Sequence, residues 1–167
     1  LVIVGTATLA WHPFGIGANS RSPLGRPDTP ALFEMWARWD GEWYLDIATR
    51  GYAAPLPAGQ FDMRPNFFPA FPAAIALLTV TVRHPALSGI LISNLALLLA
   101  LACLHAWTAE RLSGPAADRA VWLYAVFPTS FFLSAVYAES LLLLGITGAW
   151  LAADRNRWTV SGLFLML

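Results

Sequence analysis

From Ala86 to Ala109 the chain has no aspartate, glutamate, lysine or arginine, and from Ala120 to Ala153 its only charge is Glu139. A membrane crossing needs about 20 mainly apolar residues. Inside hydrocarbon, every backbone polar group must be satisfied by the segment itself or by a closed barrel. The first run is long enough for one crossing and the second for two. The chain is therefore expected to be an all-α, polytopic transmembrane protein. Composition agrees: 12% of residues are charged and mean hydropathy is +0.58, against roughly 25% charged in soluble domains.

The polar stretches divide the rest. Residues 1–11 are apolar but shorter than a span, and read as the end of a first crossing. Residues 12–84 read as a long outer loop carrying juxtamembrane, interfacial helices. Residues 85–167 hold the transmembrane helices. The chain starts at Leu1 and stops at Leu167 within apolar runs, so it reads as a fragment of a longer protein.

Within the loop, Gly15 to Pro30 is rich in glycine, proline and serine and should be irregular. From Ala31 a helix is expected, with Asp28 or Thr29 as cap and Pro30 at its first position. Phe33, Trp36, Trp43 and Ile47 fall on one face of that helix, which should bend near Gly41 and stop at Gly51. Aromatic side chains on such a face suit the headgroup layer. Asn66 to Val82 is short and proline-broken, and is expected to be half-inserted, although a full crossing is the rival.

Arginine sets the orientation. All the basic residues are arginine. Arg111 and Arg119 flank one short loop, and Arg155 and Arg157 sit in another. By the positive-inside rule both face the cytoplasm. Pro128 to Ser140 then lies at the opposite face, together with the loop around Asp40. Arginine without lysine, in an alanine-rich chain, points to a GC-rich genome and a bacterial plasma membrane.

The densest chemistry lies between Trp39 and Tyr52, where carboxylates and an arginine are set among aromatic rings. Asp40 is the candidate general base, because a carboxylate at a low-dielectric boundary can have its pKa raised into a useful range. The alternative is a helix cap. Tyr44 shares a helical face with Asp40, and Trp39 and Glu42 flank it as substrate-binding candidates. Glu139 is a second candidate, because a lone ionisable group in an apolar run marks a functional site by default. Arg50 and Arg64 can offer bidentate bonds to a phosphate, or can pair locally with Asp46 and Asp62.

Several classes drop out. Net charge is zero, so no basic surface for nucleic acid is expected. No glycine-rich nucleotide loop is present. His12, His84 and His105 are scattered and Cys103 is the single cysteine, so neither a metal site nor a bound cofactor is expected.

Three stretches together resemble a known family. They are Arg38-Trp39-Asp40-Gly41 with Ile47 to Tyr52, Asn66-Phe67-Phe68-Pro69-Ala70-Phe71-Pro72, and Phe127-Pro128-Thr129-Ser130 running on to Tyr137-Ala138-Glu139-Ser140. Their order and spacing are similar to the PIG-V mannosyltransferases, GT-C-type integral membrane enzymes related to GPI-anchor assembly. The resemblance implies an active site at the outer face and a polyprenyl-phosphate sugar donor. It also implies a glycolipid or glycan acceptor and an aspartate base in the first outer loop, here Asp40. Gly41-Glu42-Trp43-Tyr44 departs from what tends to follow the Trp-Asp pair in eukaryotic members, and the bacterial-looking composition argues against a GPI acceptor. The rival from another class is a transporter or lipid-binding membrane protein, which would favour internal repeats; none is visible.

Overall fold

The computed structural model describes residues 33, 35–56 and 58–167. The expected end of a first span, the irregular stretch before Pro30 and the cap at Asp28 or Thr29 lie outside these residues. The described residues form helices and turns, with no strand. A 3-10 turn at Met35–Ala37 leads into α1 (Asp40–Arg50). After a loop and a 3-10 turn at Arg64–Asn66 come α2 (Ala70–Val82), α3 (Pro85–Arg111) and α4 (Gly114–Val126). A 3-10 turn at Pro128–Ser130, α5 (Phe131–Ser134), α6 (Glu139–Asp154) and α7 (Trp158–Phe164) complete the order.

Helix α3 is the axis of the structure. With 27 residues it extends roughly 40 Å at 1.5 Å per residue. It is the one described helix that is by itself long and apolar enough to cross a membrane. Local chemistry fixes its start. Arg83 takes the left-handed backbone (φ 61°) that turns the chain out of α2. His84 Nδ1 accepts the Leu87 amide proton at 3.2 Å, and Pro85 fills the first turn, where a missing N–H costs nothing. Ser88, Gly89, Ser93, Ala96 and Ala100 form a buried stripe of small residues, while Leu91, Leu95, Leu98 and Leu99 are exposed. Small residues let neighbouring segments approach closely in apolar surroundings: Ser88 meets Thr79 of α2, Gly89 meets Val136 of the broken segment, and Ala96 and Ala100 meet Leu144 of α6.

The stretch expected to make two crossings is built differently. Helix α4 has 13 residues and α6 has 16, each short of a full span. Between them the chain breaks at Pro128, where proline cannot continue the helix. The two arms, Pro128–Ser134 and Glu139–Asp154, meet at 92°. Side chains satisfy the freed backbone carbonyls. Ser130 Oγ donates to Tyr124 O and Ser140 Oγ to Leu133 O. Asn94 Nδ2 donates to Ser134 O at 3.1 Å, and Ser93 Oγ to Tyr137 O at 3.2 Å. Irregular backbone is tolerated at membrane depth only when paired in this way. Helix α2, at 13 residues, is also too short to cross.

At the far end of α3 the two arginine loops meet. Arg111 Nε donates to Asp154 Oδ2 at 2.7 Å, as does Trp107 Nε1 at 2.6 Å. Arg155 pairs with Glu110. The break at 127–138 lies toward the other end, where α1 and α2 pack on the first turns of α3.

Candidate active site

Of the helix expected from Ala31, Phe33 is helical, Met35–Ala37 is a 3-10 turn, and the run to Arg50 begins at Asp40. Before it, Trp39 adopts φ 53°, ψ −117°. This is a conformation that non-glycine residues rarely hold and that costs on the order of 1–3 kcal/mol. Asp40 makes no side-chain cap at this terminus, and Trp39 occupies the N-cap position. Asp40 is instead the exposed first residue of α1.

The break at 135–138 holds this strained turn from the other side. Val136 N–H donates to Trp36 O at 2.8 Å. The Tyr137 hydroxyl donates to Arg38 O at 3.1 Å, and the same carbonyl accepts the Gly41 amide at 3.0 Å. Two segments a hundred residues apart in sequence thus run side by side, and their functional groups face one another. Asp40 and Glu139 lie close enough for their charges to interact. Tyr44, one turn along α1 from Asp40, lies within reach of both. Burial pushes the Tyr44 hydroxyl up to about 12, and the Glu139 and Asp40 carboxylates add to the effect. At neutral pH Tyr44 is therefore a hydrogen-bond donor and not a base. Its ring packs edge-on against Phe67 and Phe71, with centroids 4.9 Å and 5.0 Å away, which fixes where the hydroxyl points.

Glu139 also lines a cavity of about 490 Å³. Leu123, Tyr124, Phe127, Phe132 and Leu133 give it apolar walls, and Thr129 and Ser130 add hydroxyl-bearing side chains. The cavity opens between α4 and the broken segment. Trp39 stands 67% exposed beside Asp40, its ring 6.4 Å from that of Phe132. Glu42 is half-buried on the first turn of α1.

The two arginines lie elsewhere. Asp46, 1% exposed, sits on the second turn of α1 and draws both toward it. Arg50 Nε donates to Asp46 Oδ1 at 2.6 Å, and Arg64 Nη1 approaches Asp46 Oδ2 at 3.7 Å. Arg64 is buried and grips Asp62 with two further bonds of 2.9 Å and 3.0 Å. Those bonds hold the Asp62 carboxyl below the usual carboxylate range. Local ion pairing, the alternative reading of these arginines, is the geometry found. Sequence reasoning singled out Asp40, Tyr44 and Glu139, which the fold brings together. It passed over Tyr137, whose place in the Tyr-Ala-Glu stretch was the available signal. Among the described residues no group of three metal-ligating side chains converges.

Residues 28–166 match the family model described as Mannosyltransferase (PIG-V), and the chain belongs to that family. It is similar to proteins named GPI alpha-1,6-mannosyltransferase 2. Identity to the rat (Rattus norvegicus) protein is 29%, covering 87% of this chain and 31% of that protein. For Cricetulus griseus the figures are 31% identity, 78% and 27%. The chain thus spans about a third of the length of these relatives. No solved structure matches it.

Proposed function

We propose that this chain carries the catalytic end of a GT-C-type, multi-pass membrane glycosyltransferase. In this reading it transfers mannose, with inversion, from a polyprenyl-phosphate donor to a hydroxyl of a glycolipid or glycan at the outer face. The observation that carries the reading is the closeness of Asp40 to Glu139, which itself lines an apolar cavity, in a chain of the PIG-V family.

The chemistry follows from the groups present. The acceptor hydroxyl attacks C1 of the mannosyl phosphate, a new C–O bond forms, and the bond from C1 to the phosphate oxygen breaks. Asp40 takes the hydroxyl proton, and the polyprenyl monophosphate departs with the bond electrons. Tyr44, kept protonated, donates to a developing negative charge. Fixed donors of this kind act strongly where water is excluded. Trp39 offers a flat apolar face to a sugar ring, and Glu42 and Glu139 accept from sugar hydroxyls. The apolar cavity takes the first isoprene units. Arg50 and Arg64 pair with Asp46, and Arg50 stands roughly 15 Å of helix from Asp40, so both shape the loop and neither is offered to the phosphate. The bacterial plasma-membrane assignment rests on the arginine-only composition, since the relatives above are mammalian.

The test is Asp40→Asn in the full-length protein, with transfer of labelled mannose from polyprenyl-phosphate mannose followed in membranes. A general base is typically worth about 10²–10⁴-fold, so transfer should fall at least about a hundredfold while membrane insertion is retained. Asp46→Asn should leave the chemical step far less changed and should show its cost as lost stability. Transfer by Asp40→Asn close to the parent's would overturn the assignment.

A further inference from the structure

Tyr137 is 5% exposed, yet its hydroxyl is not turned into the cavity. It is spent on the carbonyl of Arg38, one residue before the strained Trp39. The Asp40 backbone amide also acts on this hydroxyl. The other end of the residue is anchored as well. Its carbonyl accepts from Ser93 Oγ on α3. Its amide closes a tight turn onto Ala135 O at 2.8 Å, the three-residue turn that often starts irregular segments. Its ring packs at 5.2 Å against Phe132, which in turn meets Trp39.

We infer that Tyr137 is a positioning residue: a strut between the membrane-length helix and the Trp39 turn, which holds Asp40 opposite Glu139. This rests on the reading of Asp40 as the base. A left-handed, non-glycine residue persists only where its surroundings over-determine it. Here the over-determination consists of the two donors converging on Arg38 O, from Gly41 and Tyr137. The Gly41 bond spans Trp39 itself and lies across the start of α1, so it holds only while Trp39 keeps its positive φ. Beside the Val136 bond to Trp36 O, three residues before Trp39, the Tyr137 bond ties that start to the broken segment and, through Ser93, to α3. Without it, Trp39 is free to relax toward ordinary backbone angles and to carry Asp40 with it.

Tyr137→Phe keeps the ring and removes only the hydroxyl. In the full-length protein in membranes, kcat should fall roughly ten- to hundredfold, the scale of a small misplacement of a catalytic group. KM for polyprenyl-phosphate mannose should stay within about twofold. The acid limb of the kcat–pH profile should also shift, because the distance from Asp40 to Glu139 sets how strongly their charges interact. A purely structural role would lower the amount of active enzyme without moving that limb. In an Asp40→Asn background, Tyr137→Phe should cost nothing further, since the group it positions has already lost its function. Parent-like kcat and pH profile in Tyr137→Phe would overturn the inference, as would an undiminished effect in the Asp40→Asn background. Both results are distinct from failure of the general-base reading, which shows as parent-like transfer in Asp40→Asn alone. If Tyr137→Phe does not accumulate, the Ser93→Ala variant tests the other end of the strut. It should move the same limb in the same direction, and an unmoved limb would overturn the inference.

Discussion

A methyl group added at Gly41 would sit 3.2 Å from the carbonyl oxygen of Val136. Val136 is fully buried, and its isopropyl group presses on Gly89 of α3, where an added methyl would fall 2.7 Å from Cγ1. One valine thus seats α1 and α3 on the broken segment at once, because both helices present a bare backbone to it. Gly89→Ala should be the more damaging for stability. Over-packing a buried contact costs about 1–3 kcal/mol, and here neither the valine nor its backbone has room to retreat. Gly41→Ala should be milder in thermal unfolding but sharper in transfer, since it lifts the Asp40 turn away from Tyr137. Melting curves in detergent alongside transfer rates would separate the two.

Acid should loosen the loop between α1 and α2 before it affects the helices. Asp62 has its carboxyl held low chiefly by hydrogen bonds from Arg64. A group whose folded pKa is depressed contributes stability above its unfolded value and loses that contribution as pH falls through the folded one. Protection of residues 58–67 should be level from neutrality down to about pH 4, the ordinary aspartate range, and decline below it. Asp62→Asn should abolish that acid dependence. Hydrogen exchange or limited proteolysis across the pH range reads this directly, and an unchanged acid profile in Asp62→Asn would argue against the clasp.

Sidedness can be read by cysteine labelling in intact cells, with Cys103 replaced by alanine. Pro115→Cys and Asn156→Cys lie at the end where Arg111 and Asp154 pair, and should resist a membrane-impermeant reagent. Thr129→Cys, at the break beside the cavity, should react. Equal labelling at 115 and 129 would defeat the proposed orientation.

Much of the site was legible because apolar context makes charge conspicuous. Glu139 stands out in its run, and Asp40 sits in a loop dense with rings. Pro128 is a visible breaker, but its consequence was not readable. A sequence shows that a helix stops, not that the next segment will be folded back at 92° and stitched by Ser93 and Asn94. Tyr137 escaped notice for the same reason: its partner, the Arg38 carbonyl, is 99 residues away and has no side-chain signature. Arg50 and Arg64 were open to two readings because phosphate and carboxylate ask the same of a guanidinium. Burial of Asp46 drew both toward the carboxylate, and burial of a charged side chain is a property of the fold.

The pairs that join Arg111 to Asp154 and Arg155 to Glu110 lie at the opposite end of the bundle from Asp40, and they mark the alignment of α3 with α6. Along their shared length α3 and α6 meet through small side chains, and Thr147 Oγ1 of α6 donates to Ala100 O of α3 at 3.3 Å. Sliding α6 by one turn would displace Glu139 by about 5.4 Å. Such a shift would break that bond and separate both charge pairs; exposed pairs are each worth little, so they assist a register that the buried packing fixes. Variants at Arg111 or Glu110, remote from any substrate, should then cost little alone and more when combined with Thr147→Val, with transfer rate as the readout.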